Sequence, residues 1–116
     1  MESILTSIKK LLGIAEDYDH FDADIIMHIN SVFTILTQMG IGPSEGFSII
    51  DDSTTWYNFI ADDTRLGSVK SYMYLKVRLL FDPPLSNSVL ESMNRIINEF
   101  EWRLHSTANY EIESDE

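Results

Sequence analysis

Cysteine is absent from this chain of 116 residues, which excludes disulfide bonds, thiolate catalysis and cysteine metal sites. No apolar run approaches the ~20 residues that a membrane-spanning helix needs, so we predict no membrane contact. The first residues, Met1-Glu2-Ser3, lack the basic and apolar regions of a signal peptide. These absences lead us to expect a protein that folds in a cytoplasm.

Basic residues are scarce, eight against nineteen acidic ones, and the formal net charge is −11. Between Lys10 and Arg65 there is no lysine or arginine, whereas ten aspartates and glutamates occur there. A protein that grips nucleic acid gains affinity by neutralising phosphates, so this balance argues against one. Two interpretations of the charge remain. It keeps the protein soluble, or it forms a surface that lies beside DNA without binding it, as a channel lining would.

Sequence motifs of catalytic chemistry are also lacking. No glycine-rich phosphate loop precedes a predicted helix, and no Ser/His/Asp arrangement has motif support. Possible metal ligands occur at His20, Asp22, Asp24 and His28. The two aspartates, however, are explained by the preference of a helix N-terminus for negative charge. We therefore predict that the chain is not an enzyme and holds no metal or other cofactor.

The length fits one domain, and hydrophobic periodicity predicts a mainly α fold of about four helices. Apolar residues recur at the spacing of amphipathic helices over residues 3–12, 22–39, 64–81 and 89–104. The third helix is apolar over so much of its circumference that we place it at the centre of the fold. Residues 1–104 are expected to form one helical domain, followed by an acidic tail over residues 105–116.

Residues 41–63 break the helical pattern. Gly42-Pro43-Ser44-Glu45-Gly46 has the composition of a turn. Two short runs rich in β-branched or aromatic residues follow, 47–50 and 55–60, on either side of the polar segment 51–54. They favour a small β-hairpin or an extended excursion over residues 46–60, with a helix as the main alternative for Trp56–Ile60.

A strong helix-terminating sequence separates the last two predicted helices. Asp82 precedes a proline, which disfavours helical backbone at that residue. Pro83 and Pro84 cannot donate the backbone hydrogen bonds that would continue the helix. Ser88-Val89-Leu90-Glu91 then has the pattern of a capping box, in which a hydroxyl and a carboxylate satisfy the first backbone N–H groups. The local prediction is a helical hairpin.

The residues of this hairpin also resemble a known family. A basic helix, Phe81-Asp82-Pro83-Pro84 and a last helix that closes on Glu99-Phe100-Glu101-Trp102-Arg103-Leu104 resemble the small head–tail connector proteins of long-tailed bacteriophages. These are also called head-completion or adaptor proteins. Leu11-Leu12-Gly13-Ile14, Phe21-Asp22 and Ile29-Asn30 fit the same pattern, so the resemblance covers most of the chain.

The resemblance implies a structural protein of the virion. In this family, identical subunits form a dodecameric ring that docks on the portal protein, extends the DNA channel and links the capsid to further head-completion or tail proteins. DNA would pass through without specific binding. The protein would assemble in the host cytoplasm and reside in the neck of the particle. The alternative is an acidic inhibitor that mimics DNA and blocks a nucleic-acid-binding host protein.

The last predicted helix carries a candidate interface. On a helical wheel Trp102 lies nearly opposite the apolar stripe, beside a ladder of charges spaced four residues apart that includes Arg95 and Arg103. Tryptophan and arginine are enriched in interface hot spots, so we predict a subunit or partner contact there. The alternative is that Trp102 packs on the first helix or under an arginine stem.

The third predicted helix carries the other basic residues. Arg65, Lys70, Lys76 and Arg78 lie in a stretch that has no acid before Asp82. We predict that they pair with the acidic Asp17–Asp24 face of a neighbouring copy, which would favour a ring by charge complementarity. The alternative is a set of ordinary solvated charges.

Two acidic segments complete the candidate sites. Asp51 and Asp52, in the predicted excursion, are expected to face the lumen of the ring and line the channel. Tyr110 and Ile112 alternate with acidic residues, the pattern of a half-buried strand. We expect that strand to pair with the edge of a partner's sheet, the alternative being a disordered solubilising tail.

Overall fold

The computed structural model describes the backbone of residues 2–61 and 64–114, and side chains within these ranges as far as Ser106. In these ranges the chain forms five helices, α1 (Ile4–Leu11), α2 (Asp22–Gln38), α3 (Trp56–Phe59), α4 (Leu66–Phe81) and α5 (Asn87–Ser114). The prediction of a mainly α fold is confirmed, and its four helices correspond to α1, α2, α4 and α5. Within the described part of the chain, no helix is long and apolar enough to cross a membrane.

The predicted β-hairpin does not form within the described residues. The only bridge of β type found there joins Ser3 to Thr55, and Trp56–Phe59 forms one turn of helix, the alternative that the sequence left open. The backbone of the first run, 47–50, is hydrogen-bonded to α2. The side-chain amide of Asn30 accepts a hydrogen bond from the Ile49 N–H at 2.8 Å and donates one to the Ile49 carbonyl at 2.9 Å. The two runs therefore bind neighbouring elements instead of each other.

This excursion is part of the core. Trp56 is fully buried, and its indole N–H donates to Ser7 Oγ at 2.8 Å. The rings of Phe33 and Phe59 lie 4.7 Å apart between centroids. Gly42 has a φ of +82°, and a Cβ at this position would come within 2.3 Å of the Phe59 ring. Only glycine fits this close approach at a positive φ.

Helix α4 lies at the centre, as predicted. It packs against α2 on one side and α5 on the other, and α1 contacts both α2 and α4. Its buried face carries Val69, Tyr72, Met73 and Val77. The Tyr72 hydroxyl donates to the Glu101 carboxylate at 2.9 Å, which fixes α5 along α4. Burial and the Glu101 contact raise the pKa of Tyr72, so the phenol keeps the proton that it donates.

The last helix is longer than predicted. We expected it to end at Leu104, but the backbone of α5 remains helical to Ser114. No glycine or proline follows Leu104 to stop it, and each residue added to an existing helix gains a hydrogen bond without a new nucleation step. The strand-like pattern around Tyr110 and Ile112 therefore lies on a helical backbone. Their side chains lie outside the described residues.

A lysine belongs to the core as well. Lys9 is 2% exposed. Its Nζ lies 2.8 Å from Asp22 Oδ1 and donates to the carbonyl oxygens of Glu16 and Tyr18 at 3.0 and 2.7 Å. The ammonium group therefore has one ion pair and two hydrogen bonds to backbone carbonyls. Lys9 thus ties the end of α1 to the following loop and to the start of α2.

We expect Lys9→Met to lower the free energy of unfolding by about 2–3 kcal/mol, because a half-buried carboxylate and two carbonyls lose their donor. Lys10→Met is the matched control, since Lys10 is the adjacent lysine and is exposed. Urea unfolding followed by circular dichroism measures both variants. Equal losses in the two variants would show that the ammonium contacts of Lys9 contribute nothing specific.

Candidate interaction surfaces

One side of α5 is left uncovered by the rest of the described chain, and we call it the α5 flank. It comprises Val89, Arg95, Ile96, Glu99, Trp102 and Arg103. Trp102 is 71% exposed, and Val89 and Ile96 are 47% and 43% exposed. The neighbouring stripe of Met93, Ile97 and Leu104 is buried. The helix therefore buries one apolar stripe in its own chain and leaves a second apolar surface, with a tryptophan, open to a partner.

The arginines of the α5 flank are exposed. Arg103 pairs with Glu99 one turn before it, and the side chains of both are more than half exposed. An exposed ion pair of this kind contributes only about 0–1 kcal/mol, so a partner's carboxylate can replace Glu99 at little cost. Arg95 is exposed and forms no ion pair with any described residue.

The four basic residues of the central helix region do not form one row. Arg65 and Lys76 lie eleven residues apart, close to three turns of ~3.6 residues, and so share a side of the helix. Lys70 and Arg78 lie on the other side. Lys70 binds within its own chain, 3.6 Å from Glu2 and over the Trp56 ring at 5.9 Å. Their joint role as a subunit contact stays a prediction.

Arg78 is also engaged locally. Its guanidinium donates to the Tyr74 hydroxyl at 3.1 Å, and this hydrogen bond is the main cause that raises the pKa of Arg78. Arg65 and Lys76 are half-buried. The basic side chains therefore serve partly to hold the fold together, which sequence reasoning about a solvated row did not foresee.

Asp51 and Asp52 lie at the exposed tip of the excursion. The Asp51 carboxylate accepts hydrogen bonds from the Ser53 N–H, at 2.9 Å, and from its hydroxyl. These hydrogen bonds lower the pKa of Asp51, so the group is ionised at neutral pH. Ile50 beside it is 84% exposed. The tip is thus a charged loop with its own internal hydrogen bonds.

The structure also brings together two acidic segments that the sequence separates. Asp51 and Asp52 border the same surface depression as Glu16, Asp17 and Asp19, and we call these five residues the acidic patch. Sequence analysis assigned the first pair to a channel and the 17–24 segment to a subunit contact. No local sequence pattern predicts that these two segments lie together, because their proximity arises from the packing of the excursion on α1 and α2.

The end of α4 borders a concavity, and we call it the end groove. It has a volume of about 580 Å³ and is lined by Leu12, Ile14, Phe21, Asp24, His28, Leu80, Phe81 and Asp82. The rings of Phe21 and Phe81 lie 5.3 Å apart, and Leu80 is 52% exposed. Sequence analysis recognised Phe81-Asp82-Pro83-Pro84 as a helix stop but missed the groove that this stop borders.

The end groove includes two of the residues that were weighed as metal ligands, Asp24 and His28. Of the other two, Asp22 pairs with Lys9 and His20 packs edge-on against Phe21 at 4.9 Å. Across residues 2–61 and 64–106, no group of three or more histidine, aspartate or glutamate side chains is arranged to hold a metal ion.

Comparison with known proteins gives one finding for this chain. A family model described as "Phage connector protein" matches residues 4–111, which includes all five helices except the last residues of α5. The comparisons with curated proteins and with solved structures give no match. The matched range contains the α5 flank, the end groove and the acidic patch.

Proposed function

We propose that this chain, which belongs to the phage connector protein family, forms a ring that docks on the portal protein, extends the DNA channel and links the capsid to the tail. A connector is a structural part of the phage particle, and it acts through surfaces. The main observation in support of ring formation is the uncovered α5 flank, in which Trp102 is 71% exposed. The dodecameric copy number comes from the family resemblance.

The shape of the subunit supports assembly. The molecule measures 47 × 36 × 19 Å along its principal axes, so its two longer dimensions provide broad faces for contacts with neighbouring copies. With 28 residues, α5 spans ~42 Å, against ~24 Å for the 16 residues of α4. The greater length of α5 allows it to reach a neighbouring subunit or the portal protein.

The division into a helical domain, residues 1–104, and an acidic tail, residues 105–116, is kept as part of the proposal. The tail contacts the portal protein or the next neck protein through Tyr110 and Ile112. Because the backbone of α5 is helical to Ser114, its main chain is not available to add a strand to a partner's sheet. The contact is therefore a helix laid in a partner's groove, which is a common mode of recognition.

In the proposed ring, Asp51 and Asp52 of the acidic patch face the lumen. Their carboxylates repel the DNA backbone, so DNA passes without being held. We expect phage that carry Asp51→Lys together with Asp52→Lys to eject DNA more slowly at low salt, with the difference shrinking at high salt, where charges are screened. Ejection from purified particles at two salt concentrations measures this.

The matched control for the channel experiment adds the same positive charge elsewhere. Gln38, Ser44 and Glu45 are exposed and lie outside the acidic patch, the α5 flank and the end groove, so changing all three to lysine makes the same change in net charge. An ejection rate that is identical in wild-type, patch and control particles would remove Asp51 and Asp52 from the channel.

Sedimentation velocity with and without the cognate portal protein tests the proposed function. We expect weak self-association of the isolated chain, and a larger complex that co-migrates with the portal, because interfaces in regulatory assemblies are often completed only when a partner orders them. A strict monomer in both conditions contradicts the proposal. Binding to a nuclease instead of the portal would favour the acidic inhibitor.

A further inference from the structure

The end groove is a concavity of mixed polar and apolar lining that its own α5 does not enter. None of its lining residues belongs to α5. Glu101, next to Trp102, is bonded to Tyr72, which lies nine residues before Phe81 on α4. Nine residues of helix are ~14 Å. Trp102 is therefore held away from the groove of the same chain, and a contact between Trp102 and the groove must join different copies.

The two surfaces are chemically complementary. The end groove presents the carboxylates of Asp24 and Asp82 among apolar and aromatic side chains, and none of its lining residues is lysine or arginine. The α5 flank presents Arg95, and Arg103 with its exposed partner Glu99, beside an exposed tryptophan and exposed aliphatic residues. Opposite charges on facing surfaces fix the register of an interface, and aromatic rings pack well edge to face.

We propose that the α5 flank of one copy docks into the end groove of the next copy, with Trp102 against the aromatic wall and the two arginines of the flank facing the two carboxylates of the groove. This inference rests on the proposed function, for which it names the subunit interface. Flank and groove are different surfaces, so the contact is head-to-tail. Such a contact repeats from copy to copy and gives a ring when its rotation closes.

The lack of native cysteine permits a direct test by disulfide trapping. Leu80→Cys labels the groove and Ile96→Cys labels the flank, since both positions are exposed and Trp102 is kept as the anchor. The two variants are mixed in equal amounts at high concentration, with oxidised glutathione as a mild oxidant. A disulfide that links one variant to the other should form at least tenfold faster than a disulfide between two copies of the same variant. A chain with both substitutions should give a ladder of covalent oligomers.

Matched controls are available at two other exposed positions. Leu85 is fully exposed, and Tyr57 is 54% exposed. Leu85→Cys replaces the groove label, and Tyr57→Cys replaces the flank label. If the disulfide between the groove label and the flank label forms no faster than the disulfides with these control positions, the proposed interface is overturned.

A charge exchange provides a second, independent test. Arg95→Glu on the chain with the flank label should slow the trapping at least fivefold, and Asp24→Lys on the chain with the groove label should restore most of the rate. If Arg95→Glu slows the trapping and Asp24→Lys slows it further instead of restoring the rate, Arg95 and Asp24 do not face each other. Circular dichroism confirms that each variant is folded before its rate is used.

The portal experiment separates this inference from the proposed function. If the wild-type chain assembles on the portal but the groove and flank labels show no preference, the ring exists and uses another interface. If the wild-type chain does not bind the portal, the proposed function fails. A ring that persists in Trp102→Ala while portal binding is lost would assign the α5 flank to the portal and overturn the proposed subunit interface.

Discussion

Trp56→Ala is expected to lower the free energy of unfolding by about 3–5 kcal/mol, the range measured for removal of a large buried aromatic side chain. The side chain is fully buried, its N–H donates to Ser7, and its ring lies 6.3 Å from that of Phe33. Single domains are stable by only about 5–15 kcal/mol. The substitution therefore leaves a marginally folded protein and demonstrates that the excursion belongs to the core.

Urea unfolding followed by circular dichroism measures this loss, with Trp102→Ala as the matched control. The chain has two tryptophans, one buried and one exposed, so the same substitution tests the two environments. Ser7→Ala separates the hydrogen bond from the packing and should cost about 1–2 kcal/mol. A loss below about 1 kcal/mol in Trp56→Ala would mean that Trp56 is not packed as described.

Trp102→Ala is expected to abolish assembly of the ring while the folded subunit keeps its stability to within about 0.5 kcal/mol, as is usual for an exposed position. A buried interface tryptophan contributes about 2 kcal/mol or more to binding, which weakens each contact ~30-fold. A ring repeats the contact between every pair of neighbours, so the loss accumulates around it.

Sedimentation of Trp102→Ala with the portal protein measures the loss of assembly. Tyr57→Ala is the control, because it also removes an exposed aromatic ring, 54% exposed, outside both proposed surfaces. Assembly at wild-type level in Trp102→Ala would exclude an interface role. A large fall in the stability of the subunit would instead place Trp102 in the core.

Helical periodicity was sufficient to predict the helices that carry most of the core. The stripes of α2 and α4 are regular over four turns or more, and long amphipathic segments are the strongest signal in a single sequence. Residues 46–60 were harder. Short β-branched and aromatic runs indicate burial but do not distinguish a strand from an irregular segment with one helical turn. Only the packing of Trp56 and Phe59 against Phe33 decides it.

The interaction surfaces were predicted in part. The helical wheel indicated the outward direction of Trp102, because α5 is a regular helix with one well-defined buried stripe. The end groove and the acidic patch could not be predicted, since each joins segments that are distant in sequence. Lys9 was missed for a related reason: a lysine at the end of a helix is ordinarily explained by the helix dipole, and its partners become visible only when the loop folds back.

Electron microscopy of the purified chain mixed with its cognate portal protein tests the central claim most directly. We predict a closed ring of this chain, coaxial with the portal, in which Asp51 and Asp52 face the lumen and the α5 flank lies between adjacent subunits. A portal that carries no ring of this chain, under conditions where the chain is folded, would contradict the account.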